Sequence, residues 1–132
     1  MKRNRTAVIV LLVFAMLILS SCGTKTFELE NITKIELRSG SNGEFTEITD
    51  SEQIQTVLQS FVSEEFEKDK SSDDNTGWSY RLKFYQDDKM VTDIVVMNES
   101  RIDFDGYFYD TKEGTINISY FEELLTNNAD EQ

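Results

Sequence analysis

From Trp78 to Tyr85 the chain alternates without a break. Trp78, Tyr80, Leu82 and Phe84 take one parity, and Ser79, Arg81, Lys83 and Tyr85 take the other. A period of two belongs to a strand with one buried and one wet face, so the fold must be built on a sheet that carries its core on one side. Met90 to Met97 is the next such run. With a loop at Asp87, Asp88 and Lys89, Lys83 falls opposite Asp93, Leu82 opposite Ile94 and Tyr80 opposite Val96. That register sets apolar against apolar on the core parity and opposite charges on the other. Trp78, Tyr80, Leu82 and Phe84 are therefore expected in the core, with Lys83 neutralised by Asp93.

Other segments obey the same logic. Thr33, Ile35 and Leu37 alternate with Lys34, Glu36 and Arg38; turn residues follow at Gly40, Asn42 and Gly43, and Phe45 to Ile48 is a return strand. Thr49-Asp50-Ser51-Glu52 matches a capping box, and Ile54, Val57, Leu58 and Phe61 form one apolar stripe of a helix. Residues 63 to 68 read as a short edge strand through Phe66, and 69 to 77 as a polar loop. Asp105-Gly106 is the dipeptide of a type I′ turn. It pairs Phe104 with Tyr107 and Ile102 with Tyr109 on one face, and Asp103 with Phe108 and Arg101 with Asp110 on the other. Ser119 and Glu122 form a second capping box before Phe121 and Leu125. The expected fold is α+β, a single small domain with a mainly antiparallel sheet of about five or six strands and two helices on one sheet face. The order is strand, strand, helix, strands, helix. A chain of 132 residues has room for one such core.

The first residues read as an address. Lys2, Arg3 and Arg5 precede an unbroken apolar run from Ala7 to Leu19, whose 13 residues fall short of the roughly 20 that span a bilayer as a helix. Leu19-Ser20-Ser21-Cys22 resembles the lipobox of bacterial lipoproteins. The resemblance implies that Cys22 receives a diacylglycerol on its sulfur and that residues 1–21 are removed. The expected divisions are a signal peptide at 1–21, a short tether at 22–26, the domain at 27–126 and a frayed tail at 127–132. Thr76-Gly77-Trp78-Ser79-Tyr80-Arg81-Leu82 and Asp105-Gly106-Tyr107-Phe108-Tyr109 resemble a family of small uncharacterised lipoproteins of Gram-positive bacteria. That likeness spans roughly residues 30 to 125 and implies a binding or accessory role at the extracytoplasmic face of the cell membrane. It brings no catalytic residue with it.

Removing residues 1–21 takes three cations and no acids, moving the formal charge from −12 to −15. Nucleic acid and anionic membrane surfaces both call for a cationic face, so no nucleic-acid partner is expected and the domain is expected to stand off the lipid. Cys22 is the only cysteine, which leaves the domain without an internal disulfide.

Histidine is absent altogether. Without it, and with the only thiol on lipid, there is no Ser-His or Cys-His pair and no His or Cys zinc site. No catalytic residue, metal or cofactor is therefore expected. A carboxylate-dependent envelope hydrolase is the least favoured reading, since it requires two acids across one cleft. Asp103-Phe104-Asp105-Gly106 resembles the middle of a calcium loop, but with Gly106 sixth, position one is Arg101 and position twelve is Lys112, where carboxylates are required. Asp73 with Asp74, and Asp87 with Asp88, are weak calcium candidates. The candidate partner-binding face is Arg81, Lys83, Tyr85, Val95 and Met97, on the parity opposite the core. The leading expectation is a non-catalytic binding or accessory domain for an envelope protein or peptide, held to the membrane by its anchor. The alternative is an immunity lipoprotein that sequesters a cationic peptide or toxin. The oligomeric state is not encoded in any of these patterns.

Overall fold

The computed structural model describes residues 23–129, so the expected signal peptide and Cys22 lie outside the described residues. Eight antiparallel strands form one sheet: β1 (Thr24–Lys25), β2 (Lys34–Ser39), β3 (Phe45–Ile48), β4 (Phe66–Ser71), β5 (Tyr80–Gln86), β6 (Lys89–Asn98), β7 (Arg101–Phe104) and β8 (Tyr107–Thr111). Helices α1 (Ser51–Val62) and α2 (Ile118–Ala129) complete the α+β fold. The sheet order is β1-β4-β8-β7-β6-β5-β2-β3. Eight strands exceed the five or six expected, and the strand expected at 63–68 runs instead over Phe66–Ser71, into the expected loop, and is not an edge because β1 pairs outside it. β1 escapes a sequence reading because its two residues are too few to show a period, and the bounds of β4 are hard to read because it buries Phe66 alone. None of the helices among the described residues is long and apolar enough to cross a membrane.

The registers follow the side-chain patterns. Lys83 pairs with Asp93, Leu82 with Ile94 and Tyr80 with Val96. In the next hairpin Asp105 and Gly106 both take positive φ, at 52° and 84°, as a type I′ turn demands, and all four expected pairs form. The turn before β6 is shorter than expected, with Gln86 opposite Lys89 and a bulge between Phe84 and Tyr85. The bulge moves Val91 off the outer face and packs it against the core.

Both helices cover the same face of the sheet. Ile54, Val57, Leu58 and Phe61 of α1 and Phe121, Leu124 and Leu125 of α2 join Ile35, Leu37, Leu82, Phe84, Ile94 and Ile102 in one buried cluster. Edge-to-face rings fix the contacts: Phe61 on Phe84 at 5.7 Å, Tyr80 on Phe121 at 5.4 Å, and Phe27 on Phe66 at 5.5 Å. The Tyr80 hydroxyl donates to Glu122, and burial together with that neighbouring carboxylate pushes the phenol up to about 12.

Both caps differ from expectation. Asp50, not Thr49, caps α1 by accepting from the backbone N–H of Glu52 and Gln53. A carboxylate is favoured there because it meets both the free donors and the positive helix end. At α2 the cap is Asn117, whose Oδ1 accepts from Tyr120 N at 3.3 Å, while Ser119 lies inside the helix. The N–H of Asn117 donates to the buried Ser60 of α1, which ties the two helices together. Helix α2 runs past residue 126 to Ala129, and Asn128 donates to Thr46 of β3 at 2.6 Å.

On the outer face, Arg101 makes a bidentate pair with Asp110 at 2.7 and 2.9 Å and also reaches Asp69 at 2.6 Å, joining β7, β8 and β4. The guanidinium holds the Asp110 carboxyl below the usual carboxylate range, against burial, which pushes it up.

Two outcomes are expected. Phe61→Ala removes about 3–5 kcal/mol of stability in urea denaturation, whereas Val62→Ala, on the exposed side of the same helix, changes it by about 0.5 kcal/mol or less. Because the folded Asp110 pKa is depressed, its contribution is present above the unfolded value and lost as pH falls through the folded one. The melting-temperature difference between wild type and Asp110→Asn should therefore be constant above about pH 5 and shrink below about pH 4.

Candidate functional site

The outer face of β5 projects Arg81 and Lys83 between two neighbours. On the β2 side, Arg38 lies opposite Arg81 and Glu36 opposite Lys83. On the β6 side, Val95 lies opposite Arg81 and Asp93 opposite Lys83. Two arginines directly across a ladder repel, and the structure answers by giving one of them a carboxylate. Asp93 binds the diagonal Arg81, not Lys83, with Nε at 3.1 Å and Nη2 at 2.6 Å. The planar guanidinium donates two N–H bonds to the carboxylate in a geometry that an ammonium cannot match, so Arg81 displaces the expected partner. That bond holds the Arg81 pKa above its ordinary value.

Arg38 and Lys83 are consequently left without an ion pair among the described residues. Arg38 stacks over the Phe45 ring at 4.9 Å, and Phe45 is 42% exposed. Together Glu36, Arg38, Phe45, Trp78, Arg81 and Lys83 line a cleft of about 110 Å³. Three cations and two aromatic rings thus meet one carboxylate in its lining.

Trp78 is the correction that matters most here. It was expected beside Tyr80 in the core, yet it is half-buried on the outer face. The alternation ends at a bend at Ser79, whose N–H donates to Val96 O at 3.0 Å and whose carbonyl accepts from Gly40 N at 2.7 Å. Strand β5 begins one residue later. Gly40 permits this because a Cβ there would collide with the Trp78 carbonyl oxygen and lie 2.8 Å from the ring carbon Cε3.

The other expected face residues sit around the cleft, not in it. Tyr85 donates its hydroxyl to Glu36 at 3.0 Å and lies under the Lys34 ammonium at 4.3 Å. Burial, then the Glu36 carboxylate, raises its pKa. Val95 is half-buried between Arg81 and Asp103. Met97 is half-buried, and its sulfur takes a 3.7 Å contact from Asn75 Nδ2 as the 72–79 segment passes. Arg38, Glu36 and Phe45 were missed as site residues. Their signal was the β2–β3 hairpin register, which is local, but the β2–β5 pairing that brings them to Arg81 spans more than 40 residues and has no local signature.

A larger depression of about 290 Å³ is lined by Ser63, Glu64, Glu65, Lys112 and Glu113. Two of its three acids are structurally occupied. Glu64 accepts from the N–H of Lys112 and of Glu113, each at 3.1 Å, and Glu65 pairs with Lys112. Burial pushes the Glu64 carboxyl up, but these backbone donors outweigh it and hold the pKa below its ordinary value. Among the described residues no three His, Cys, Asp or Glu side chains converge as a metal would require.

Comparisons with known protein families, with curated proteins and with solved structures give no match.

Gly40→Ala should force the turn away from Trp78, the only tryptophan, at a cost of about 1–3 kcal/mol. The expected readout is a red-shifted Trp78 emission together with a lowered melting temperature; a lowered melting temperature with unchanged emission would place the strain elsewhere.

Proposed function

We propose that this chain is a lipoprotein held at the extracytoplasmic face of the cell membrane through Cys22, and that its domain is a non-catalytic binding module. Its cleft receives an anionic, partly apolar segment of an envelope protein or peptide. The observation that carries the reading is the pairing of unclaimed cations with open aromatic rings. In a chain with 25 acids, Arg38 and Lys83 do not lack carboxylates for want of supply. They stand beside Phe45 and Trp78, where a carboxylate attached to an apolar group finds both halves of its surface matched.

Size narrows the occupant. Pockets for whole small molecules usually hold about 300–1,000 Å³. A cleft of about 110 Å³ suits one side chain or a chain terminus, which favours a macromolecular partner. The cleft also weighs against the immunity reading at this position, because its cations repel a cationic peptide. A carboxylate-dependent hydrolase is disfavoured there too, since Glu36 is the one acid in the lining and it accepts from Tyr85.

The test is photo-cross-linking in cells from a reactive amino acid at position 45, with mass spectrometry of the captured peptide. The expected product carries an acidic residue beside the attachment point, and Arg38→Glu with Lys83→Glu lowers its yield roughly tenfold or more, as loss of about 1.4 kcal/mol requires. Capture that survives both charge reversals, or a captured segment that is basic, would sink the proposal.

A further inference from the structure

The domain holds a second group of unclaimed cations, far from the cleft. In the β1–β4 pair, Thr24 lies opposite Glu67 and Lys25 opposite Phe66, and the N–H of Lys68 donates to Gly23 O at 2.7 Å. Lys25 and Lys68 are therefore diagonal neighbours on the face that carries Phe66. The Lys25 ammonium stands over Phe27 and Phe104, at 5.1 and 4.9 Å, and the Lys68 ammonium stands 3.6 Å from the centre of the Tyr107 ring. Tyr107 is 40% exposed. Neither lysine has an ion-pair partner among the described residues. The neighbouring acids look the other way: Glu67 pairs across to Asp110 on the opposite face, and Asp69 is held by Arg101.

This patch begins at Lys25, three residues after Cys22, and the backbone is bonded to the sheet from Gly23 onward. Residues expected to act as a tether are instead bonded into the sheet, so no slack separates the edge of the domain from the anchoring residue. We propose that Lys25, Lys68 and Tyr107 rest the domain on the anionic phospholipid headgroups beside its own anchor, an inference that depends on the lipoprotein reading above. The lysines meet lipid phosphate, and the tyrosine sits at headgroup level, where an amphipathic ring is at home. The net negative charge does not forbid this contact. Salt screens charges beyond about 8 Å, so the membrane responds to the edge nearest to it and not to the total.

The test uses the full lipidated chain reconstituted in vesicles of phosphatidylcholine alone or of an equimolar mixture with phosphatidylglycerol. Lysine acetylation rates are read by mass spectrometry, along with the mass of the Cys22 peptide. The expected result is that Lys25 and Lys68 react about fivefold more slowly on the anionic vesicles, the factor that corresponds to one lysine at an anionic surface, while Lys83 and Lys89 are unchanged. Lys68→Glu should restore the reactivity of Lys25. Equal rates for Lys25 and Lys68 on both vesicles, or uniform slowing of all four lysines, overturn the docking alone. A Cys22 peptide without diacylglycerol overturns the lipoprotein reading and the docking with it.

Discussion

Each residue of β5 is committed to one side of the sheet, and both layers of the domain depend on that commitment. Leu82 and Phe84 are fully buried, and Tyr80 nearly so, beneath Phe61 and Phe121 of the two helices. Arg81, Lys83 and Tyr85 stand on the reverse side. Because β5 is bonded to β2 on one side and β6 on the other, a one-residue slip would have to break both ladders at once. It would also bring two cations beneath the helices, and a buried unpaired charge is among the costliest changes a core can suffer. Core and cleft are thus two readings of a single register.

Without a disulfide, the packing of that core has to suffice. Phe27 shows how it does so: the first apolar side chain after β1 meets Phe61, Phe66 and Phe104 edge-on and closes one end of the core. The outer face is stabilised differently. Arg101 gathers Asp110 from the neighbouring β8 and Asp69 from β4, one strand further, and Arg81 takes Asp93. Arg101 thereby joins acids of β4 and β8 that would otherwise repel one another, which matters in a domain with so large an acidic excess.

Where a residue and its partner were near in sequence, the pattern was enough. The pairs Lys83–Asp93 and Ile102–Tyr109, and the positive φ at Asp105 and Gly106, follow from alternation and turn chemistry alone. Patterns failed where they had too few residues or where a distant backbone intervened. Two residues of β1 cannot show a period. Trp78 continues the alternation of β5 by parity, yet Gly40, from a hairpin nearly 40 residues earlier, claims the Ser79 carbonyl and turns the ring outward. Of the cleft, Arg81 and Lys83 were legible; Arg38, Glu36 and Phe45 were legible only as members of their own hairpin. At the helix starts the capping residues were present in the right neighbourhood, and competition between adjacent hydroxyl, carboxylate and amide groups decided which one served.

The strand order has a geometric result of its own. β1 and β3 are the two edges of the sheet, separated by seven strand spacings. At about 4.8 Å each, Phe45 lies roughly 34 Å across the sheet from Gly23. That is about the diameter of a small domain. Charges at the Phe45 edge and at the β1 edge are thus several screening lengths apart, so the two cation groups act electrostatically as independent surfaces.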